Sequence, residues 1–354
     1  MVLVLVAVLC VWPLKVHARL ERAETHELEE PAVDRLHKYL LKDYDKHRVP
    51  INRRTLEGVN VTIIMWPYDI LFVSEASSTI KFCGWIDMYW SDPSFTWDPV
   101  DFGNLTEAFI IRDLLWLPEI DIYYRKDEPT PSTCVGCPAH VRNDGQIMRG
   151  YYFSYAFPCK FDAKYFPFDS HNCTMQMANW HMDDRYMNLY PNNQTVDLSI
   201  FLPNEEWELL EMKCIRTPLN YSYGRFPVLN YRLHIKRKPF FYVCNLVLPS
   251  FTLTITALIG FHMSSMGSGT HQEKTKMGLT TILAIFFLQA GVSDKLPRTS
   301  DVIPLITIYY SSMVFLLSLA IIMSSIVIGI EKQAIFKKPL FKLNEKLDNC
   351  QQAL

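Results

Sequence analysis

The sequence predicts a β + α membrane protein. An immunoglobulin-like β-sandwich of about ten strands, behind a short helix, precedes an α-helical transmembrane bundle. Three observations lead there. Short alternating apolar runs broken by Pro, Asp, Asn and Gly fill Val59 to Ile235. Three long apolar runs dominate from Pro239 to Ile330. Cysteines and Asn-X-Ser/Thr sequons crowd the first part, as in an exported domain. The 354 residues have room for two domains, and a net charge of −2 gives no reason to expect nucleic acid.

In chain order, residues 1–18 (MVLVLVAVLCVWPLKVHA) look like a secretory signal peptide. A first membrane helix is the alternative, but Pro13 and Lys15 cut the apolar run short. Residues 19–238 form the extracellular domain. Ala32 to Lys46 have helical apolar spacing and predict a short amphipathic helix. Five sequons, at Asn60, Asn104, Asn172, Asn193 and Asn220, precede Lys238 and none follows it. Of the nine cysteines, Cys83, Cys134, Cys137, Cys159, Cys173 and Cys214 lie in this domain. Cys159 and Cys173 enclose FPFD, and a bridge between them would stabilise by roughly 3 kcal/mol. Cys134 and Cys137 in CVGC either bond each other or pair separately with Cys83 or Cys214.

Strand alternation then singles out three aromatics. From Thr79 to Trp90, Ile80, Phe82, Ile86 and Met88 share one face, while Trp85 sides with Lys81, Asp87 and Tyr89. In CTMQMANW, Trp180 sides with Thr174 and Gln176 against Met175 and Met177. After Pro118, Tyr123 alternates with Asp121 against Ile120 and Ile122. Any one of them can be a core residue after a bulge. Three aromatics on polar faces suggest an interface or a ligand cage.

The membrane domain, residues 239–330, opens with a span to about His262. Its Pro249 is tolerated where neighbours satisfy the freed carbonyl. The second span puts Glu273, Lys276, Thr280, Leu283, Phe287, Ala290 and Asp294 on one seam by steps of three and four. That seam is charged at both ends and apolar in the middle. In a soluble protein it is an ordinary amphipathic stripe, but between two membrane spans it reads as the lining of a water-filled pore. Val302 to Ile330 is the third span. Lys332, Lys337, Lys338 and Lys342 follow it and put residues 331–354 on the cytoplasmic side.

The Cys159–Cys173 loop with FPFD, together with HNCTMQMANW, WLPEIDIYY and PRTSDVIPLI, resembles the Cys-loop receptors. These are pentameric ligand-gated ion channels, and the resemblance, over about residues 30–332, is strongest to nicotinic acetylcholine receptor subunits. It implies a homo- or hetero-pentamer in the plasma membrane, often postsynaptic. Its partners are a small-molecule agonist (a cationic amine), permeant inorganic ions and the lipid bilayer. The agonist sits between subunits, in an aromatic box to which Tyr123 and Trp180 give the principal face and Trp85 the complementary one. Tyr221 or Tyr223 supplies one tyrosine of the loop before the membrane, and Phe226 stands where a second is expected. The vicinal cysteines of nicotinic subunits are absent there. Arg149 falls on the complementary strand, where a cation repels an amine unless it points away.

The resemblance also implies the gating parts. Glu75 and Arg237 occupy positions that pair beneath the sandwich. Phe168 and Asp169 of FPFD are expected to press on the loop from Leu296 through Pro297 to Asp301. Leu283 and Phe287 would close the pore as apolar rings. Acidic rings at Glu273 and Asp294, with no Pro-Ala insertion, favour cations. Lys276, where nicotinic channels carry small hydroxyl residues, instead favours an anion-selective channel or a non-conducting modulatory subunit. The family's fourth membrane helix does not follow before Leu354, which suggests truncation. No metal-ligand spacing, nucleophile motif or phosphate loop is present, so neither an enzyme nor a cofactor is expected. His171 and His181 are read as surface residues. A membrane-tethered oxidoreductase using Cys134 and Cys137 is the most remote alternative.

Overall fold

A computed structural model describes residues 31–51, 57–127, 137–262, 270–297 and 302–351. The predicted signal peptide, Cys134 and the end of the loop reaching Asp301 lie outside the described residues. The first element, α1 (Ala32–Leu41), seats Leu36 and Leu40 on the sandwich core. It ends earlier than the predicted Lys46. Lys42 turns extended, Asp43 adopts φ 60°, and the Tyr44 hydroxyl donates to Asp92 at 3.0 Å while accepting from the Trp116 amide at 3.0 Å. Those tertiary bonds replace further helical turns.

Ten strands follow among the described residues: β1 (Val59–Ser74), β2 (Thr79–Thr96), β3 (Glu107–Ile111), β4 (Asp121–Ile122), β5 (Pro138–Arg142), β6 (Asp144–Pro158), β7 (Ser170–Ala178), β8 (Met187–Pro191), β9 (Trp207–Tyr221) and β10 (Gly224–Arg237). One sheet runs β3-β5-β6-β2-β1-β8 and the other β4-β7-β10-β9. Period-2 patterning faces Ile63, Phe82, Ile86 and Phe153 of the first toward Met175, Met177, Leu229 and Leu233 of the second. Each such side chain contributes about 1.5–3 kcal/mol by leaving water. Cys159 and Cys173 are bonded, bridging the sheets at one end. Cys137 is also disulfide-bonded, whereas Cys83 and Cys214 are free and buried, so neither is its partner.

Among the described residues, three helices that follow are long and apolar enough to span a membrane: α2 (Phe240–His262), α3 (Thr270–Ser293) and α4 (Leu305–Gln351). A π-turn at Val243–Val247 precedes Pro249 in α2. There the Leu246 carbonyl accepts from Ser250 at 2.8 Å and Tyr310 at 3.2 Å, and Val247 from Tyr309 at 3.2 Å. Side-chain hydroxyls thus satisfy backbone groups around the proline, as an apolar environment requires. The three helices pack through Ala257, Ile285, Tyr310 and Leu317.

Gly278 lets α3 approach both of its neighbours closely. A Cβ there would lie 2.7 Å from Ile321 Cγ1 and 2.8 Å from Phe261 Cζ. Gly278→Leu is therefore expected to destabilise by about 1–3 kcal/mol through overpacking. Gly329→Leu, with nothing within 4 Å of its Cβ, should be close to neutral. Thermal unfolding of the purified receptor compares the two.

Candidate ligand-binding, coupling and pore sites

One aromatic cluster forms on the outer side of the four-stranded sheet, where β4 and β7 end and β9 turns into β10. β7 stops at Ala178, and the buried Asn179 then pins the following loop. Its amide donates to the Glu119 carbonyl at 2.5 Å, and its Oδ1 accepts from the amides of His181 at 2.7 Å and Met182 at 2.6 Å. Trp180 therefore sits in a fixed turn rather than on a strand, 56% exposed. Its ring lies 4.2 Å from that of Tyr123. Tyr123 was expected on an outer face. It does lie apart from the main core, but it is covered at 7% exposure by Ala178, Val228 and Leu219. Burial and the hydroxyls of Tyr221, Tyr223 and Tyr124 push its phenol above the usual range.

The β9–β10 hairpin carries the remaining members. Tyr221 and Gly224 pair across a two-residue turn, Ser222–Tyr223. The Tyr221 and Tyr223 rings stack at 5.6 Å, and buried Phe226 meets each edge-on at 5.6 Å. The Asp184 amide donates to the Arg225 carbonyl at 2.8 Å. Gly224 closes against Asp183, whose Oδ2 would lie 2.8 Å from any Cβ there. The hairpin is thereby held to the Trp180 loop.

The opposite side of the domain presents a second aromatic surface. Trp66 and Trp85 pair across β1 and β2. Both indoles donate to Asp87, from Trp66 at 2.9 Å and from Trp85 at 2.7 Å. Gly150 leaves the space for this, since a Cβ there would lie 2.6 Å from Trp85 Nε1. Sequence reasoning missed Trp66 and Asp87, although both were legible. Asp87 shares the Trp85 face by parity, and Trp66 precedes a proline in an apolar strand.

Arg149 does not join this surface. It pairs with Met88 in a register without shifts from Trp85↔Tyr152, so it faces inward while Trp85 faces outward. Its guanidinium lies 5.1 Å over Tyr151 and lines a cavity of about 710 Å³ within the subunit, bordered on another side by Trp180. Of the two placements the sequence left open for Arg149, beside the box or pointing away from it, the register gives the second.

Beneath the sandwich, Arg237 at the end of β10 is buried among carboxylates. Nε donates to Asp169 Oδ1 at 2.8 Å, one terminal nitrogen to Glu206 at 2.9 Å and the other to Glu75. Its Cζ lies 4.2 Å from the centroid of the Trp207 ring and 4.8 Å from that of Phe166. His171, expected at the surface, is buried with Nε2 2.5 Å from Asp169, whereas His181 is exposed. Burial alone raises the Asp169 carboxyl, but hydrogen bonds from His171 and Arg237 outweigh it and hold the group down at about 2. A depressed carboxyl stabilises the fold above its unfolded value and loses that contribution as pH falls through the folded one. Wild type is thus expected to lose about 2 kcal/mol between about pH 4 and pH 2 at this group. Acid unfolding of Asp169→Asn should lack that increment.

Among the described residues, the member of FPFD that packs against the membrane helices is Phe166; most of the loop that Phe168 was expected to meet lies outside them. Phe166 is buried with Ala163 against Tyr242, Leu296 and Ile306, its ring 5.0 Å from Tyr242. Phe168 is 65% exposed. Asp169 turns inward to Arg237, and Pro297 is half-buried at the end of the described loop. The chain reversal at Pro167 places Phe166 below the sheet and Phe168 outside it.

The seam residues Glu273, Lys276, Thr280, Leu283, Phe287 and Ala290 of α3, and Asp294 just past its end, are all exposed. Gly278, Thr281, Ile285 and Val292 pack the opposite side. All five sequon asparagines are exposed as well.

A β-sandwich with an aromatic cluster at its edge and a buried arginine beneath it, followed by membrane-length helices, is the architecture expected of a neurotransmitter-gated channel subunit. Residues 33–239 match the neurotransmitter-gated ion-channel ligand binding domain and residues 246–347 the matching transmembrane region. The chain belongs to this family, which is not one of enzymes. It is 33% identical over 311 residues to acetylcholine receptor subunit alpha-type des-2 of Caenorhabditis elegans, covering 86% of this chain and 56% of that one. With betaine receptor acr-23 of the same organism it shares 31% identity over 83% of this chain and 57% of the other. With 5-hydroxytryptamine receptor 3A of Cavia porcellus it shares 29%, over 90% of this chain and 65% of the other. The chain thus spans little more than half the length of the first two relatives.

Proposed function

We propose that the chain is one subunit of a pentameric plasma-membrane channel opened by a small cationic amine and conducting cations. The convergence of Tyr123, Trp180, Tyr221, Tyr223 and Phe226 carries this reading. An ammonium over such ring faces gains roughly 0.5–2 kcal/mol per contact. Trp66 and Trp85, backed by the Asp87 carboxylate, complete the box from the neighbouring subunit. The relatives named for acetylcholine, betaine and 5-hydroxytryptamine support the class, since each of those molecules carries an ammonium group.

Closure of the Tyr221 hairpin on the ligand pulls β10, and with it Arg237, against Phe166 and the loop at Leu296–Pro297. The α3 helices then tilt and part the Leu283 and Phe287 rings. Glu273 and Asp294 supply acidic rings for cations. The exposed sequons are glycosylation acceptors.

A second reading rests on Lys276, exposed on the same seam as Glu273. Five ammonium groups there make the pore anion-selective or silent unless Glu273, one turn away, neutralises them. Voltage clamp of the full-length subunit in oocytes, with amines applied while bath sodium and chloride are exchanged, separates the two. Reversal following sodium supports the cation reading, and reversal following chloride replaces it. Silence despite surface pentamers, restored by Lys276→Thr, identifies the lysine ring as the block.

A further inference from the structure

The cavity behind Trp180 has chemistry unlike that of the outer aromatic cluster. Its volume of about 710 Å³ falls within the range that holds small molecules. Trp116, Trp180, Tyr151 and Tyr155 give it aromatic walls. Most charges around it are already matched. Arg112 pairs with Asp113 at 3.0 Å, and Arg125 with Asp127 at 2.9 Å and Asp121 at 3.5 Å. Lys46 donates to the Asp113 carbonyl at 2.9 Å, and Glu119 is exposed to water. Arg149 differs: half-buried, it has no hydrogen bond or ion pair among the described residues and rests only on the Tyr151 ring. Burial pulls its guanidinium below the usual arginine range. A partly desolvated fork of donors aimed into an aromatic cavity matches one kind of guest.

We propose that this intrasubunit cavity is a second binding site, for a small monocarboxylate with an aromatic or apolar body, its carboxylate paired with Arg149. The guest's oxygens take the guanidinium donors that the protein leaves unmatched, and its body fills the space between Trp116, Tyr155 and the inner side of Trp180. The site is separate from the amine box, since Trp85 and Arg149 lie on opposite faces of one sheet. Among the described residues, Trp180 alone borders both.

Benzoate is the probe. Millimolar sodium benzoate added to the purified full-length receptor is expected to raise its Tm by about 3 °C. Benzamide, which lacks the charge, and sodium chloride at equal ionic strength should leave it unchanged. Acetate, which lacks the apolar body, should shift it less than benzoate. Arg149→Gln should abolish the benzoate shift, and Arg149→Lys, which keeps the charge but loses the fork, should retain part of it. Trp85→Ala should preserve the shift, so the amine reading and this one fail independently. No benzoate shift in wild type, an equal shift with benzamide, or a full shift in Arg149→Gln overturns the proposal. The wild-type comparisons decide it even where a variant folds poorly.

Discussion

Replacing Arg237 with glutamine is expected to cost about 3–5 kcal/mol of stability, the largest loss of any single polar substitution in the extracellular domain. The cation is buried between Glu75, Asp169 and Glu206, and it covers the rings of Trp207 and Phe166. Its removal leaves Asp169 and Glu75 close together in a site that excludes water, with only His171 left on Asp169. The net gain of wild type from this pairing is small beside the attraction itself, because desolvating the charges offsets part of it. The penalty arises from leaving the remaining partners uncompensated. Asp169→Asn in the same chain should therefore recover part of the loss. A double-mutant cycle on thermal unfolding is expected to show coupling of about 1–3 kcal/mol between the two positions. Additive losses would mean that Arg237 acts mainly through its ring contacts.

The sandwich was legible because its strands alternate cleanly. β1 begins at the predicted Val59, and β10 runs two residues past Ile235. The membrane spans were legible from unbroken apolar length. The site was harder to read, because binding residues cluster where regular structure stops. Tyr123 and Trp180 both lie just beyond strand ends, at β4 and β7, where parity no longer applies. Asn179 sets the Trp180 turn through bonds to three backbone groups, and sequence spacing does not show side-chain–backbone bonds. Arg149, whose direction the sequence left open, illustrates the converse. It lies within regular β6, so counting from its cross-strand partner determines its face, but the pairing register is invisible until the sheet is assembled. Phe166 and Phe168 are one reversal apart, and only tertiary packing separates the buried ring from the exposed one. His171 reads as polar in isolation. The carboxylate that makes its burial tolerable is two residues away, just before the strand begins.

Trp180→Ala should raise the amine concentration for half-activation by about a hundredfold. The lost cation contact accounts for up to about 2 kcal/mol, and part of the aromatic area buried by the ligand adds to it. Each 1.4 kcal/mol corresponds to a factor of ten, so about 3 kcal/mol gives the expected effect. Trp180→Phe keeps a ring over the same spot with a weaker quadrupole, and should cost about tenfold. The two substitutions also separate binding from folding. Trp180 is more than half exposed and its turn is held by Asn179, so neither change should lower the Tm by more than a few degrees. A graded loss from tryptophan to phenylalanine to alanine at constant stability is the signature of a ring that binds a cation. If alanine shifts the half-activating concentration less than threefold while the receptor still opens, Trp180 merely covers Tyr123, and the agonist is held elsewhere.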